Sequence, residues 1–143
     1  MSDLQATLRL TCMELWSTMF ELALLSAPTD DEQTWGWWSR VELRGAWEGT
    51  VTLYFGELLG TILCKAMLQI EPENQSADDV IDVICELANI TGGNFKPHLG
   101  SPVTLAAPTA GKVTEPPDLS FATMILTFQT LGLPVQVVLC RHA

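Results

Sequence analysis

The stretch WWSRVELRGAWEGTVTLYF, Trp37 to Phe55, alternates apolar and polar side chains on either side of the segment Gly45 to Gly49. A period of two is the pattern of half-buried strands, and two such runs around a glycine-bounded connection read as an antiparallel pair. Before the pair, the polar TDDEQ, Thr29 to Gln33, reads as a loop. Further upstream, Leu4, Leu8, Leu15, Met19 and Leu22 recur at threes and fours, predicting one amphipathic helix from Asp3 to about Ser26, ended before Pro28. After the pair, ELLGTILCKAMLQI, Glu57 to Ile70, has the spacing of a short helix, although Gly60 weakens it by about 1 kcal/mol relative to alanine. EPENQ follows as a connector. Ser76, with Asp79 three residues later, then has the form of a capping box that starts a central helix ending near Pro97.

Downstream come short β-prone runs at Pro102–Pro108, Phe121–Gln129 and Val135–Cys140, the last two punctuated as a hairpin by Gly132 and Pro134. Between them GKVTEPPDLS, with two prolines and no helical period, reads as an exposed loop. The order of helix, two strands, two helices and then strands predicts an α+β fold, an α/β sandwich with long helices packed on a largely antiparallel β-sheet. At 143 residues, 1–143 is expected to be a single domain.

Composition narrows the function. A hydrophobic fraction of 48% and a charged fraction of 17% belong to a core-rich folded chain. The net charge of -10, with no basic cluster, argues against nucleic acid and against anionic membrane surfaces as partners. No signal-peptide pattern and no membrane-length apolar run is present, so a cytoplasmic protein is expected. Cys12, Cys64, Cys85 and Cys140 form no CxxC pair and read as buried reduced thiols. His98 and His142 lack neighbours at ligand spacing, so no protein-bound metal site is expected.

The central helix carries the informative feature. At about 100° per residue, Asp79, Asp82, Glu86, Asn89 and Gly93 fall within a sector of roughly 80°. Val80, Ile81, Val83, Ile84, Leu87, Ala88, Phe95 and Leu99 occupy the remaining arc. A solvated acidic face is one reading of this stripe. The other is a surface displayed to a partner. Like charges at i,i+3 and i,i+4 cost a few tenths of a kcal/mol each with no basic residue to offset them. Asn89, Gly92 and Gly93 lower helix propensity further, and Gly93 would admit another backbone closely. A carboxylate beside a carboxamide is a weak acid/base set, but it suits gripping a lysine and orienting a water.

The motif Asp82-x-x-x-Glu86-x-x-Asn89 in DVICELAN resembles the active-site helix of the CheC/CheX/FliY phosphatases of bacterial chemotaxis. GGNFKPHL resembles that family's helix end, and GAWEGTVTLYF with CKAML resembles the strand pair and helix that precede it, so the likeness runs from about Trp38 to Pro108. The first helix has Glu14 and Thr18 but no second Glu-x-x-Asn, which favours a CheX-like rather than a CheC-like member. The resemblance implies removal of phosphate from the aspartyl phosphate of a CheY-type response-regulator receiver domain. Glu86 would pair with the receiver's lysine and Asn89 would hold the attacking water, as a glutamine orients water in small GTPases. Mg2+ would sit on the receiver, leaving this chain without a cofactor of its own.

Asp82, Asp79 and Gly93 would shape partner binding, with compensation of the helix dipole as the other account of Asp79. Asn94 reads either as part of the site or as a helix-end cap, the cap being favoured. The resemblance also implies a homodimer through sheet edges, for which Phe121–Gln129 is a candidate strand, an internal core strand being its other reading. A non-catalytic binding module in two-component signalling is the alternative function, and a purely structural assembly subunit is a third.

Overall fold

Two periodicities, 3.6 and 2, divide the chain into a layer of helices and a seven-stranded sheet. The computed structural model describes residues 3–30 and 32–142. In chain order the elements are α1 (Asp3–Phe20), β1 (Leu25–Ser26), β2 (Trp37–Gly45), β3 (Gly49–Phe55), α2 (Glu57–Leu68), α3 (Ala77–Phe95), β4 (Val103–Leu105), β5 (Thr109–Lys112), β6 (Met124–Thr130) and β7 (Leu133–Arg141). The strands lie in the order β1-β6-β7-β3-β2-β4, with β5 also paired to β2, and every pairing is antiparallel. The expected α+β architecture is the one observed.

Register explains which face is buried. Val41 lies opposite Val51, which lies opposite Leu139; the next rows are Leu53, Val137 and Leu126, then Phe55, Val135 and Phe128. These side chains share one face of the sheet, and all of them are buried in the core with Leu8, Cys12 and Trp16 of α1, Leu59 and Leu63 of α2, and Val83, Ile84 and Leu87 of α3. Gly45 and Gly49 bound the tight β2–β3 connection for steric reasons. Gly45 has φ +125°, and a Cβ on Gly49 would run into the Cys140 carbonyl and the Trp47 ring.

Several local expectations are corrected. The first helix stops at Phe20 rather than Ser26: Glu21 takes a left-handed conformation (φ 55°) and donates its N–H to the Ser17 carbonyl at 3.0 Å. This reversal lets Leu25 and Ser26 pair with Gln129 and Phe128 of β6. Leu22 continued the helical spacing but belongs to the segment leading to that pairing. The stretch Gly111–Ser120 is not loop throughout, because Gly111 and Lys112 belong to β5 and lie opposite Trp38 and Trp37. The second of the β-prone runs, Phe121–Gln129, enters its strand only at Met124, and Phe121 stays outside it at 77% exposed. The hairpin turn is made by Leu131 and Gly132, both at positive φ, while Pro134 lies within β7 just past Val135, the last residue paired to β3. Cys12 and Cys64 are buried, but Cys85 and Cys140 are only partly so; all four are free thiols.

From β5 to β6 the chain must pass β2, β3 and β7. It does so across the face away from the helices: Pro117 lines a cleft with Trp38, Arg40 and Tyr54, and the Phe121 carbonyl accepts from the Cys140 thiol at 3.1 Å. The outer edge of β6 is partly covered as well, by β1 and by the Ala27 N–H donating to the Thr127 carbonyl.

The helix layer is pinned by α3, which lies over β2 and touches both α1 and α2. Gly92 makes the closest approach, since a Cβ there would come within 2.6 Å of Val41 Cγ1. Gly93, one residue on, would meet nothing nearer than Leu105 Cδ1 at 4.0 Å. Two opposite outcomes are therefore expected in urea denaturation. Gly92→Ala destabilises the protein by about 1–3 kcal/mol through overpacking, whereas Gly93→Ala is neutral or stabilising by up to about 1 kcal/mol through helix propensity.

Candidate functional site

The polar stripe of α3 is built from its N-terminus. Ser76 caps the helix, its Oγ accepting from the Asp79 N–H at 3.1 Å while Asp79 Oδ2 accepts from the Ser76 N–H at 2.9 Å. This is the predicted capping box with aspartate in the position usually held by glutamate. One member of the stripe thus serves the fold as well as the surface. Replacing Ser76 with alanine is expected to cost about 1 kcal/mol in thermal or chemical unfolding, without altering the display of residues further along the helix.

Beyond the cap, burial follows the helical wheel. Val80, Val83, Ile84, Leu87, Ala88, Thr91, Gly92 and Phe95 are buried, Asp82 and Glu86 are exposed, and Asn89 and Gly93 are half-buried. Each fully buried apolar side chain contributes roughly 1.5–3 kcal/mol. That outweighs the few tenths lost to each like-charge neighbour pair, so α3 can carry an unbalanced acidic face.

No cation among the described residues is ion-paired with a carboxylate of that face. Among the described residues the ion pairs are Arg44–Glu42, Lys65–Glu71 and Lys112–Glu57, none of them on α3. Burial, and secondarily the Asp82 carboxylate, push the Cys85 thiol above its ordinary value, and burial with Asp79 does the same to Cys64. Both thiols therefore stay protonated near neutral pH and are poor nucleophiles. Burial pushes Cys12 up to about 12, removing it too from any such role.

Among the described residues, the two at the centre of the stripe have no side-chain hydrogen-bond or ion-pair partner. Asn94, near the helix end, spends its carboxamide on its own helix, donating to the Ile90 carbonyl at 2.8 Å, and Thr91 donates to Leu87 O at 2.6 Å. Asn94 thus bonds back onto its own helix, whose C-cap is Lys96 rather than Asn94. Asn89 and Glu86 have no hydrogen bond or ion pair among the described residues. They are three residues apart and adjacent on the helix surface. Gly93 continues the same face with open space above it.

The site is a displayed helix surface. Clefts of about 460 Å³ beside Leu58, Val113 and Leu133, and about 220 Å³ beside Ala27, Trp35 and Gln136, lie away from it. Among the described residues no three His, Cys, Asp or Glu side chains are grouped to hold a metal ion, and no helix is long and apolar enough to cross a membrane. The arrangement offers one acceptor for a cation, one amide that both donates and accepts, and room for a second protein's backbone. Lys96, which sequence reasoning had not singled out, falls on the same stripe one turn past Gly93; the same 100° arithmetic would have found it.

The family described as chemotaxis phosphatase CheX matches residues 38–116, more than half of the chain. No curated protein matches. Among solved structures, a chemotaxis protein CheX from Desulfovibrio desulfuricans superimposes with a TM-score of 0.79 at 16% identity, covering 99% of this chain and 100% of the other. CheX from Vibrio vulnificus gives 0.80 at 17%, covering 99% and 97%. The CheX-CheY-BeF3-Mg+2 complex from Borrelia burgdorferi gives 0.76 at 17%, covering 99% of each chain. At these identities the structures establish the common fold, and it is the family match that places the chain: it belongs to the CheX family of chemotaxis phosphatases.

Proposed function

We propose that this protein hydrolyses the aspartyl phosphate of a CheY-type response-regulator receiver, docking α3 over the phosphoryl group. The observation that carries this reading is the pair Glu86 and Asn89, side by side on the polar face of α3 and without a polar partner among the described residues. A carboxylate in that position is a counter-ion for the lysine of a receiver's active site. The carboxamide, with its acceptor oxygen and two donor hydrogens, holds a water in line with the scissile bond.

The water oxygen attacks phosphorus and the bond from phosphorus to the aspartyl oxygen breaks, leaving a free receiver carboxylate and inorganic phosphate. Positioning of this kind is worth several powers of ten without a nucleophile in the phosphatase. Magnesium belongs to the receiver in this reading, and it neutralises the charge developing on the phosphoryl oxygens. The CheX of Borrelia burgdorferi, similar in fold, has been captured with CheY, BeF3 and Mg2+, which supports a partner of this class. Asp82 and Asp79 add to the field that attracts a lysine and a divalent cation. Gly93 leaves room for the receiver's backbone. The reading extends to a cytoplasmic homodimer formed across the outer edge of β6, beside the stretch that β1 covers.

The test is the lifetime of phosphorylated receivers from the same organism. Wild-type protein shortens the lifetime of its cognate receiver. Asn89→Ala slows the catalysed step by about 100-fold or more with binding retained, and Glu86→Ala weakens docking by about tenfold or more. A receiver that binds tightly while its phosphoryl lifetime stays unchanged would establish a non-catalytic binding module instead.

A further inference from the structure

The polar stripe of α3 does not end at Gly93. Lys96 retains helical backbone angles (φ -57°, ψ -34°) and donates its N–H to the Gly92 carbonyl, so it is still in α-helical register. Seven residues past Asn89, it lies about 20° from that residue around the axis and about 10 Å further along it. Its side chain has no hydrogen bond, ion pair or aromatic contact among the described residues. Lys65, Lys112 and Arg44 are paired with carboxylates, and Arg9 and Arg40 lie over aromatic rings.

The stripe is therefore polar along its length: Asp79, Asp82 and Glu86 in its N-terminal half, the neutral Asn89 and Gly93 next, and an unpaired ammonium at its C-terminal end. A cation near a helix C-terminus also complements the helix dipole, but that effect depends little on which face carries it. On this face it sits beside the docking surface.

Resting on the phosphatase reading above, we infer that Lys96 is a positioning residue that sets the direction in which the receiver docks along α3, by pairing with a carboxylate on the receiver about 15 Å from the lysine that Glu86 grips. A receiver docked the opposite way would bring its lysine toward Lys96 and its carboxylate toward Glu86 and Asp82, setting like charges together at both ends. Lys96 touches neither water nor phosphorus and takes no part in bond making.

The experiment uses the full chain and its cognate receiver, both phosphorylated for turnover and loaded with beryllofluoride and Mg2+ for binding. Lys96→Ala is expected to raise KM and the Kd for the beryllofluoride form by about tenfold, Lys96→Glu by more, and Lys96→Arg is expected to restore both. In every variant kcat stays within about twofold, and the salt dependence of binding becomes shallower when the charge is removed. Asn89→Ala, which lowers kcat, serves as the opposite signature. Unchanged Kd and salt dependence in Lys96→Glu would reduce Lys96 to a helix-end cation, and a loss of kcat with KM unchanged would also overturn the assignment. Wild-type binding without turnover removes the phosphatase reading while the Kd series still decides Lys96; absence of binding to every receiver of the organism defeats both.

Discussion

The contact between Gly92 of α3 and Val41 of β2 is the constraint on which the rest depends. With no room for a Cβ between helix and strand, α3 can seat itself on the sheet in one rotational setting, and that setting turns Asp82, Glu86, Asn89 and Gly93 outward. Adjacent glycines thus have separate reasons to be there. Gly92 is required by the core, whereas Gly93 has room for a Cβ, with Leu105 Cδ1 at 4.0 Å. A helix carrying both accepts a loss of intrinsic propensity that α3 offsets with its buried stripe and its N-terminal capping box.

The same division governs the charges. Asp79 closes the capping box, whereas Glu86 and Asn89 have no hydrogen bond or ion pair among the described residues. Thr91 and Asn94 return their polar hydrogens to helix carbonyls, which is how such residues are usually accommodated within a helix. Among the described residues, this acid and this amide stand without side-chain partners on a packed helix, one turn from a glycine with room for a Cβ. Burial, with the Asp82 and Asp79 carboxylates, keeps the Cys85 and Cys64 thiols protonated.

Much of this was legible before any coordinates. Alternation in Trp37–Phe55 marked β2 and β3, Ser76 and Asp79 marked the start of α3, and the 100° arithmetic separated its two faces correctly. The failures have one physical origin. Phe20 ends α1 without glycine or proline because Glu21 adopts a left-handed conformation, one that is stabilised where the following segment can pair with β6. Thr109–Lys112 become strand because β2 offers them a ladder; their own side chains carry no strand pattern. Edge strands and helix ends of this sort are decided by partners distant in sequence.

Local periodicity and capping chemistry alone dictated that there would be a helix from about Ser76 with an acidic, amide-bearing face, and an antiparallel strand pair before it. Those properties depend on residues within a few turns of one another. Packing decided which glycine is structural, that Asn89 and Glu86 have no internal partner while Asn94 has one, and that the segment Val113–Thr123 crosses the sheet on the face away from α3, leaving the displayed stripe uncovered. These are relations between segments far apart along the chain. They exist only once the sheet has set its strand order and the helix has been pressed against it.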